Sequence, residues 1–199
     1  MMEQQTQAAQ PKTKDQLRQE ILQKRDSLSE SERDVKSTII AMQFFASEAF
    51  KNAKTIFAYA SYGSEVSTNY LMRKALLLEK KVCIPKVNLK TGKMWPVKIN
   101  SLNVLKPNKA GIPEAGLFSF KVDPMKVDVI LVPAAVFDLH GHRIGSGKGF
   151  YDRYLSTYQN HAKIIGLAFD FQIVNDIPEE PHDVKVHKII TEKRIINCS

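Results

Sequence analysis

Apolar positions near the start of the chain recur at helical spacing. Leu17, Ile21 and Leu22 share one stripe of a segment beginning at Lys14, which predicts a helix there. Ser29 followed by Glu32 is the S-x-x-E pattern, in which each side chain satisfies the other residue's free backbone N–H. It predicts a second helix from Glu30 to Phe50. The period then shortens. Thr55–Ala60 reads as a buried strand, Ser61–Glu65 as a loop, and Ser67–Glu79 as a helix with Leu71, Ala75 and Leu78 inward. Val82–Pro85 and Lys93–Ile99 read as strands. Pro96 places the second at a sheet edge, because proline cannot donate to a ladder. Asn100–Asp123 has little periodicity and reads as a long surface connection. Asp128–Pro133 is the strongest strand; a glycine-rich loop, a helix over Tyr151–Tyr158, and closing strands at Lys163–Phe169 and His187–Thr191 follow. Strands alternating with helices predict an α/β fold whose central sheet is mainly parallel and flanked by helices.

The 199 residues suit one compact domain, expected over residues 14–199. The Gln-rich stretch before it lacks an apolar or arginine-bearing leader pattern, so residues 1–13 are expected to be a flexible tail. No apolar run approaches the roughly 18 residues that would suggest a membrane span. Cys83 and Cys198 form no C-x-x-C, which fits reduced thiols and a cytoplasmic protein. The net charge is +8, and the excess falls in residues 51–100, where ten lysines and arginines face two acids. Such a surface suits a nucleic-acid binder or an enzyme for polyanionic small molecules, and charge alone does not choose between them.

The densest chemistry lies in Gly141–Arg153, between the strongest strand and a helix, where ligands gather in open α/β sheets. Glycines at 145, 147 and 149 allow positive φ and let backbone N–H groups converge on an anion. The following helix adds its positive end, and Arg143 and Lys148 add full charges. The segment is not a Walker A loop, since Gly149 stands where the metal-binding Ser or Thr belongs, and it is not a GxGxxG fingerprint. Ser146 is not the centre of a GxSxG elbow. His140 and His142 lack a third spaced ligand, so they read as solvated loop residues rather than a zinc site. Lys14 and Arg18, four apart, share a helix face beside Ile21.

The run R-I-G-S-G-K-G-F-Y-D-R-Y-L (Arg143–Leu155) strongly resembles the signature of the 5-formyltetrahydrofolate cyclo-ligase family, roughly R-L-G-x-G-x-G-Y-Y-D-x-Y/F-L. The resemblance extends from Lys14 to about Thr191 and takes in K-x-x-L-R (Lys14–Arg18), E-V-x-T (Glu65–Thr68) and H-D-V-K-V (His182–Val186). It implies a three-layer α/β/α fold like that of NagB, RpiA and the CoA transferases. It also implies ATP- and Mg²⁺-dependent closure of 5-formyltetrahydrofolate to 5,10-methenyltetrahydrofolate. Carried over by position, it implies ATP contacts from Lys14, Arg18, Arg143, Ile144, Gly145, Ser146, Gly147, Lys148, Gly149, Phe150 and Tyr151. Substrate contacts would come from Glu65 and from Ser146 through Phe150, metal ligation from Asp152 and Asp183, and catalysis from Arg143, Lys148 and Tyr151. A carboxylate at 65 suits the N–H donors of a pterin. Tyr59, Tyr62, Met94 and Trp95 are candidates to wall the rings. Two departures stand out: Phe150 replaces the commoner Tyr, and Gly-Ile-Pro-Glu114-Ala lacks the proline that often follows the family's Glu or Gln. A monomer that binds neither membrane nor nucleic acid is expected. Some of Lys80, Lys81, Lys86, Lys90, Lys93 and Lys98 are expected to attract a polyglutamate tail on the folate. The alternatives are an ATP-dependent enzyme acting on another carboxamide, or a nucleic-acid module using those lysines.

Overall fold

The computed structural model describes residues 12–116 and 119–198. Most of the tail expected at residues 1–13 lies outside them, and within it Thr13 caps the first helix. Helix α1 (Lys14–Asp26) opens with a reciprocal cap between Thr13 and Gln16, and buries Leu17 and Ile21. The helix expected over 30–50 breaks into α2 (Glu30–Ala46) and α3 (Glu48–Asn52). Ser47 adopts an extended backbone and its hydroxyl accepts from the Phe50 N–H, starting the second helix.

Strand β1 (Thr55–Phe57) is shorter than the apolar run containing it, and helix α4 (Asn69–Leu77) follows its loop. Leu71 and Ala75 of α4 are buried; Leu78, expected inward, is exposed past the helix end. Strands β2 (Lys81–Val87) and β3 (Met94–Ile99) form an antiparallel hairpin with Pro96 at the sheet edge, as its missing N–H requires. The segment expected to be a long surface connection holds a small hairpin, β4 (Leu105–Pro107) and β5 (Pro113–Ala115). After β6 (Val129–Val132) come β7 (Val136–Asp138) and β8 (Arg143–Ile144), which the sequence reading missed. They interpose a hairpin between the strongest strand and the glycine loop. Helix α5 (Phe150–Tyr158), β9 (Lys163–Leu167), β10 (Ile173–Val174), β11 (Lys188–Ile190) and β12 (Ile195–Asn197) complete the order.

The main sheet runs β12-β11-β9-β6-β1-β2-β3. Its five inner strands are parallel, and the edge strands β12 and β3 are antiparallel. Strand side chains alternate between two cores. Ile56, Val82, Val129, Leu131 and Ile165 face α2 and α4, while Phe57, Cys83, Ile130, Val132 and Ile164 face α5. The expected mainly parallel sheet with helices on both faces is therefore present. Helix α1 stands apart, packing Leu17 and Ile21 on Val136 and Ile144 of a second sheet, β10-β7-β8. No helix among the described residues is long and apolar enough to cross a membrane.

The β7–β8 turn depends on a buried carboxylate. Asp138 accepts backbone N–H bonds from His140, His142 and Ile177, and lies 2.7 Å from Nδ1 of His142. His140 is exposed, but His142 is buried, so the expectation of two solvated histidines holds for one alone. Gly141 sits in this turn at φ +90°, and a Cβ there would lie 2.4 Å from the Val186 carbonyl oxygen. Gly141→Ala is expected to cost about 2–4 kcal/mol of stability in denaturant unfolding. A loss below about 1 kcal/mol would mean that the turn relaxes freely.

Candidate active site

One cavity of about 880 Å³ lies where α1, the loop after β1, the β2–β3 hairpin and the glycine segment meet. Helix α1 supplies one wall with Lys14, Arg18, Leu22 and Arg25. Arg25 follows Arg18 by seven residues, two helical turns along the same face. That spacing is the signal for it in the sequence, beyond Lys14 and Arg18. Ser64, Glu180 and His182 also line the cavity and were likewise missed.

At the N-terminal end of α1, Lys14 Nζ lies 2.7 Å from Asp183 and 3.1 Å from Glu180. Burial works against both charges in the Lys14–Asp183 pair. Their mutual hydrogen bond and attraction outweigh it, holding Lys14 above and Asp183 below their ordinary values. Arg18 donates through Nε to the Gly145 carbonyl at 2.9 Å and also pairs with Asp15.

Arg143 is strand residue and site residue together. Its side chain is 3% exposed, pairs with Asp152 at 2.5 Å and donates to the Val184 carbonyl. Burial pulls the guanidinium below its ordinary value, while Asp152 and Asp183 pull it back up. Between Arg143 and Asp152 the chain makes the glycine turn, with Gly147 at φ +80° and Gly149 at φ +62°. Gly149 precedes α5 without a side-chain cap. Among the described residues, no backbone N–H from Ser146 through Asp152 donates to a protein acceptor. Three carbonyls of the same turn are engaged, Gly145 by the Arg18 side chain, Lys148 by the Arg153 side chain and Gly149 by the Arg153 N–H. A bend with free amides ahead of a helix N-terminus is built to receive an anion.

Ile144, Gly145, Ser146, Gly147, Gly149, Phe150, Tyr151 and Asp152 all line the cavity, but Lys148 is exposed on the loop's crest outside that lining. Burial pushes the Tyr151 hydroxyl far above the usual phenol range, so it remains a donor. At the other end of α1, Glu65 accepts the Tyr62 N–H at 3.0 Å, and burial raises its carboxyl above the ordinary value against the pull of that bond and of Arg25. Tyr62 and Met94 join the lining. Tyr59 is in the core, donating to the Val66 carbonyl, and Trp95 packs against that core.

Asp152 and Asp183 share the cavity but not one ligand group. The described side chains close enough to hold an ion together, with ligand atoms within 4.8 Å of one another, are Glu180, His182 and Asp183. Asp152 Oδ2 and Asp183 Oδ1 have no protein hydrogen-bond partner among the described residues. Each is a hard oxygen of the kind Mg²⁺ takes, typically one or two carboxylates together with phosphate oxygens and water. Of the basic stretch, Lys80 donates to the Ala53 carbonyl at 2.6 Å and Lys86 to that of Gly116 at 3.0 Å.

The chain matches the 5-formyltetrahydrofolate cyclo-ligase family over residues 10–192. It belongs to that family. Among its relatives, the 5-formyltetrahydrofolate cyclo-ligase of Mycolicibacterium smegmatis is 32% identical, over 92% of this chain and 96% of that one. The mouse enzyme of the same name is 30% identical, over 88% and 92%. Among solved structures, the 5,10-methenyltetrahydrofolate synthetase of Aquifex aeolicus aligns with TM-score 0.81 and 32% identity over 92% of each chain. That of Mycoplasma pneumoniae aligns with TM-score 0.73 and 27% identity, over 90% and 98%.

Because Glu65 holds its proton more tightly folded than unfolded, wild-type stability falls as pH rises from the ordinary 4.5 through its folded value. Glu65→Gln removes that loss. Its stability relative to wild type is therefore expected to climb over this window and then level off. Unfolding curves between pH 4 and 8 giving a constant difference would contradict this.

Proposed function

We propose that the protein uses ATP and Mg²⁺ to convert 5-formyltetrahydrofolate to 5,10-methenyltetrahydrofolate, releasing ADP and phosphate. The observation that carries this reading is the turn with free amides at Ser146–Asp152, standing in one cavity with the half-buried carboxyl of Glu65. One end suits a polyphosphate and the other the N–H donors of a pterin ring. Family membership supports the folate and, through the family's general dependence on ATP, the nucleotide.

The chemistry explains why both ends are needed. Oxide cannot leave an N-formyl group, but phosphate can. The formyl oxygen attacks the terminal phosphorus of ATP and ADP departs. N10 then adds to the activated formyl carbon, loses its proton, and phosphate leaves as the methenyl bridge forms. Phosphoryl transfer asks for alignment and charge neutralisation rather than a protein nucleophile. In this reading the free amides, Lys14, Arg18 and Lys148 hold the phosphates. Lys148 moves inward from the crest when the nucleotide enters. Asp152 and Asp183 hold Mg²⁺, which neutralises phosphate charge when bound. Arg143 and Tyr151 flank the reacting oxygen, and the Tyr151 hydroxyl donates. Phe150 keeps the ring of the commoner Tyr without its hydroxyl.

Incubation with ATP, Mg²⁺ and 5-formyltetrahydrofolate tests the proposal, with the methenyl chromophore expected to appear with ADP at one-to-one stoichiometry. ADP formation with a different carboxamide, and none with this folate, would instead support another amide-activating enzyme. Lys148→Ala is expected to lower turnover by about a hundredfold without changing the unfolding midpoint; normal turnover would remove the assigned role. Asp152→Asn is expected to raise the Mg²⁺ concentration needed for half-maximal activity by about tenfold, and an unchanged titration would refute Asp152 as a ligand.

A further inference from the structure

Helix α1 is a ruler laid along the cavity. Lys14 and Arg25 are eleven residues apart, about 16 Å at about 1.5 Å per residue. The cations at Lys14 and Arg18 meet the glycine turn and Asp183, so Arg25 lies at the opposite end. Its Nε donates to Ser64 Oγ at 2.9 Å and its Nη1 reaches the Ala134 carbonyl at 3.5 Å. Ser64 in turn donates to Asp26, so the serine that fixes the guanidinium is itself fixed. Ser64 is also the residue next to Glu65. Among the described residues no carboxylate lies within ion-pair distance of Arg25, and Nη2 makes no hydrogen bond. An acceptor and a charged donor thus stand together at the folate end of the cavity, the donor with unused capacity.

That pairing matches one edge of a pterin. The ring presents two adjacent donors, the 2-amino group and N3–H, and beside them one acceptor, the C4 carbonyl oxygen. Glu65 can accept from the donors, and a guanidinium beside it can donate to the carbonyl. Resting on the proposed folate reading, we propose that Arg25 is a specificity-determining residue, donating to the C4 carbonyl and selecting 4-oxo over 4-amino rings. An amino group at C4 would turn N–H donors toward Arg25, leaving the guanidinium without its acceptor.

The test compares kcat/KM for 5-formyltetrahydrofolate and for its 4-amino-4-deoxy counterpart in wild type and Arg25→Met. Loss of a charged hydrogen bond is expected to cut the 4-oxo value by about ten- to a hundredfold. The 4-amino value should change much less, so the preference ratio narrows by about tenfold or more. The KM for ATP should stay within about twofold of wild type, because Arg18, the nearest residue of α1 assigned to the phosphates, lies two helical turns or about 10 Å away. A ratio that is unchanged while both values fall would make Arg25 merely structural and overturn the proposal. If Arg25→Met does not fold, the wild-type protein carries the test through bound 5-formyltetrahydrofolate labelled with ¹³C at C4. A carbonyl stretch at lower frequency than in water is expected, and an unshifted or raised frequency overturns the assignment. Wild type that turns over 5-formyltetrahydrofolate while the ratio stays fixed sinks only the role of Arg25. Wild type that leaves this folate unchanged sinks the functional reading as well.

Discussion

The buried Arg143 guanidinium is the constraint on which the candidate site depends. It begins the glycine turn, and Asp152, at the far end of that turn, is its ion-pair partner. Together they staple the ends of the loop, and the Val184 carbonyl joins the same guanidinium to the segment that carries Glu180 and Asp183. A buried cation is costly unless paired and hydrogen-bonded, and the partner carboxylate and carbonyl meet that requirement. With its ends tied, the turn presents seven consecutive N–H groups, Ser146 through Asp152, that have no protein acceptor among the described residues, the last three being first-turn amides that α5 cannot satisfy internally. Open amides of this kind suit an anion.

The fold explains why the cavity lies beside the main sheet. The two cores of that sheet are filled by α2, α4 and α5, leaving α1 to pack on the small sheet β10-β7-β8. Strand β8 ends where the glycine turn begins, so the elements that bury α1 also aim the turn at its polar face. One helix then supplies cations at both ends of a single trough. Its length sets the distance between them.

Local chemistry made much of this legible. Leu17 and Ile21 marked α1, Ser29 and Glu32 its successor, and Pro96 an edge strand, because each acts through its own neighbours. The features that escaped depend on distant contacts. Ser47 breaks a run whose apolar periodicity continues across it, and no periodicity announces the three- and two-residue strands β7 and β8. His142 looked solvated because its partner Asp138, four residues away, reads as an ordinary turn acid until the fold buries it. In the site, the glycine turn, Lys14, Arg18, Glu65, Asp152 and Asp183 converge on one cavity. What spacing could not show was that Asp152 is already engaged by Arg143 and Asp183 by Lys14, or that Lys148 stands on the crest.

The dependence of the turn on its staple is open to a direct measurement. A double-mutant cycle with Arg143→Met and Asp152→Asn, read as unfolding free energy, isolates the interaction between the two side chains. A coupling of about 2–3 kcal/mol, with each single variant weakening the binding of an ATP analogue, is expected if the pair closes the loop. A coupling near zero, with analogue binding intact in both single variants, would show that the turn holds its shape without the pair and would contradict that dependence.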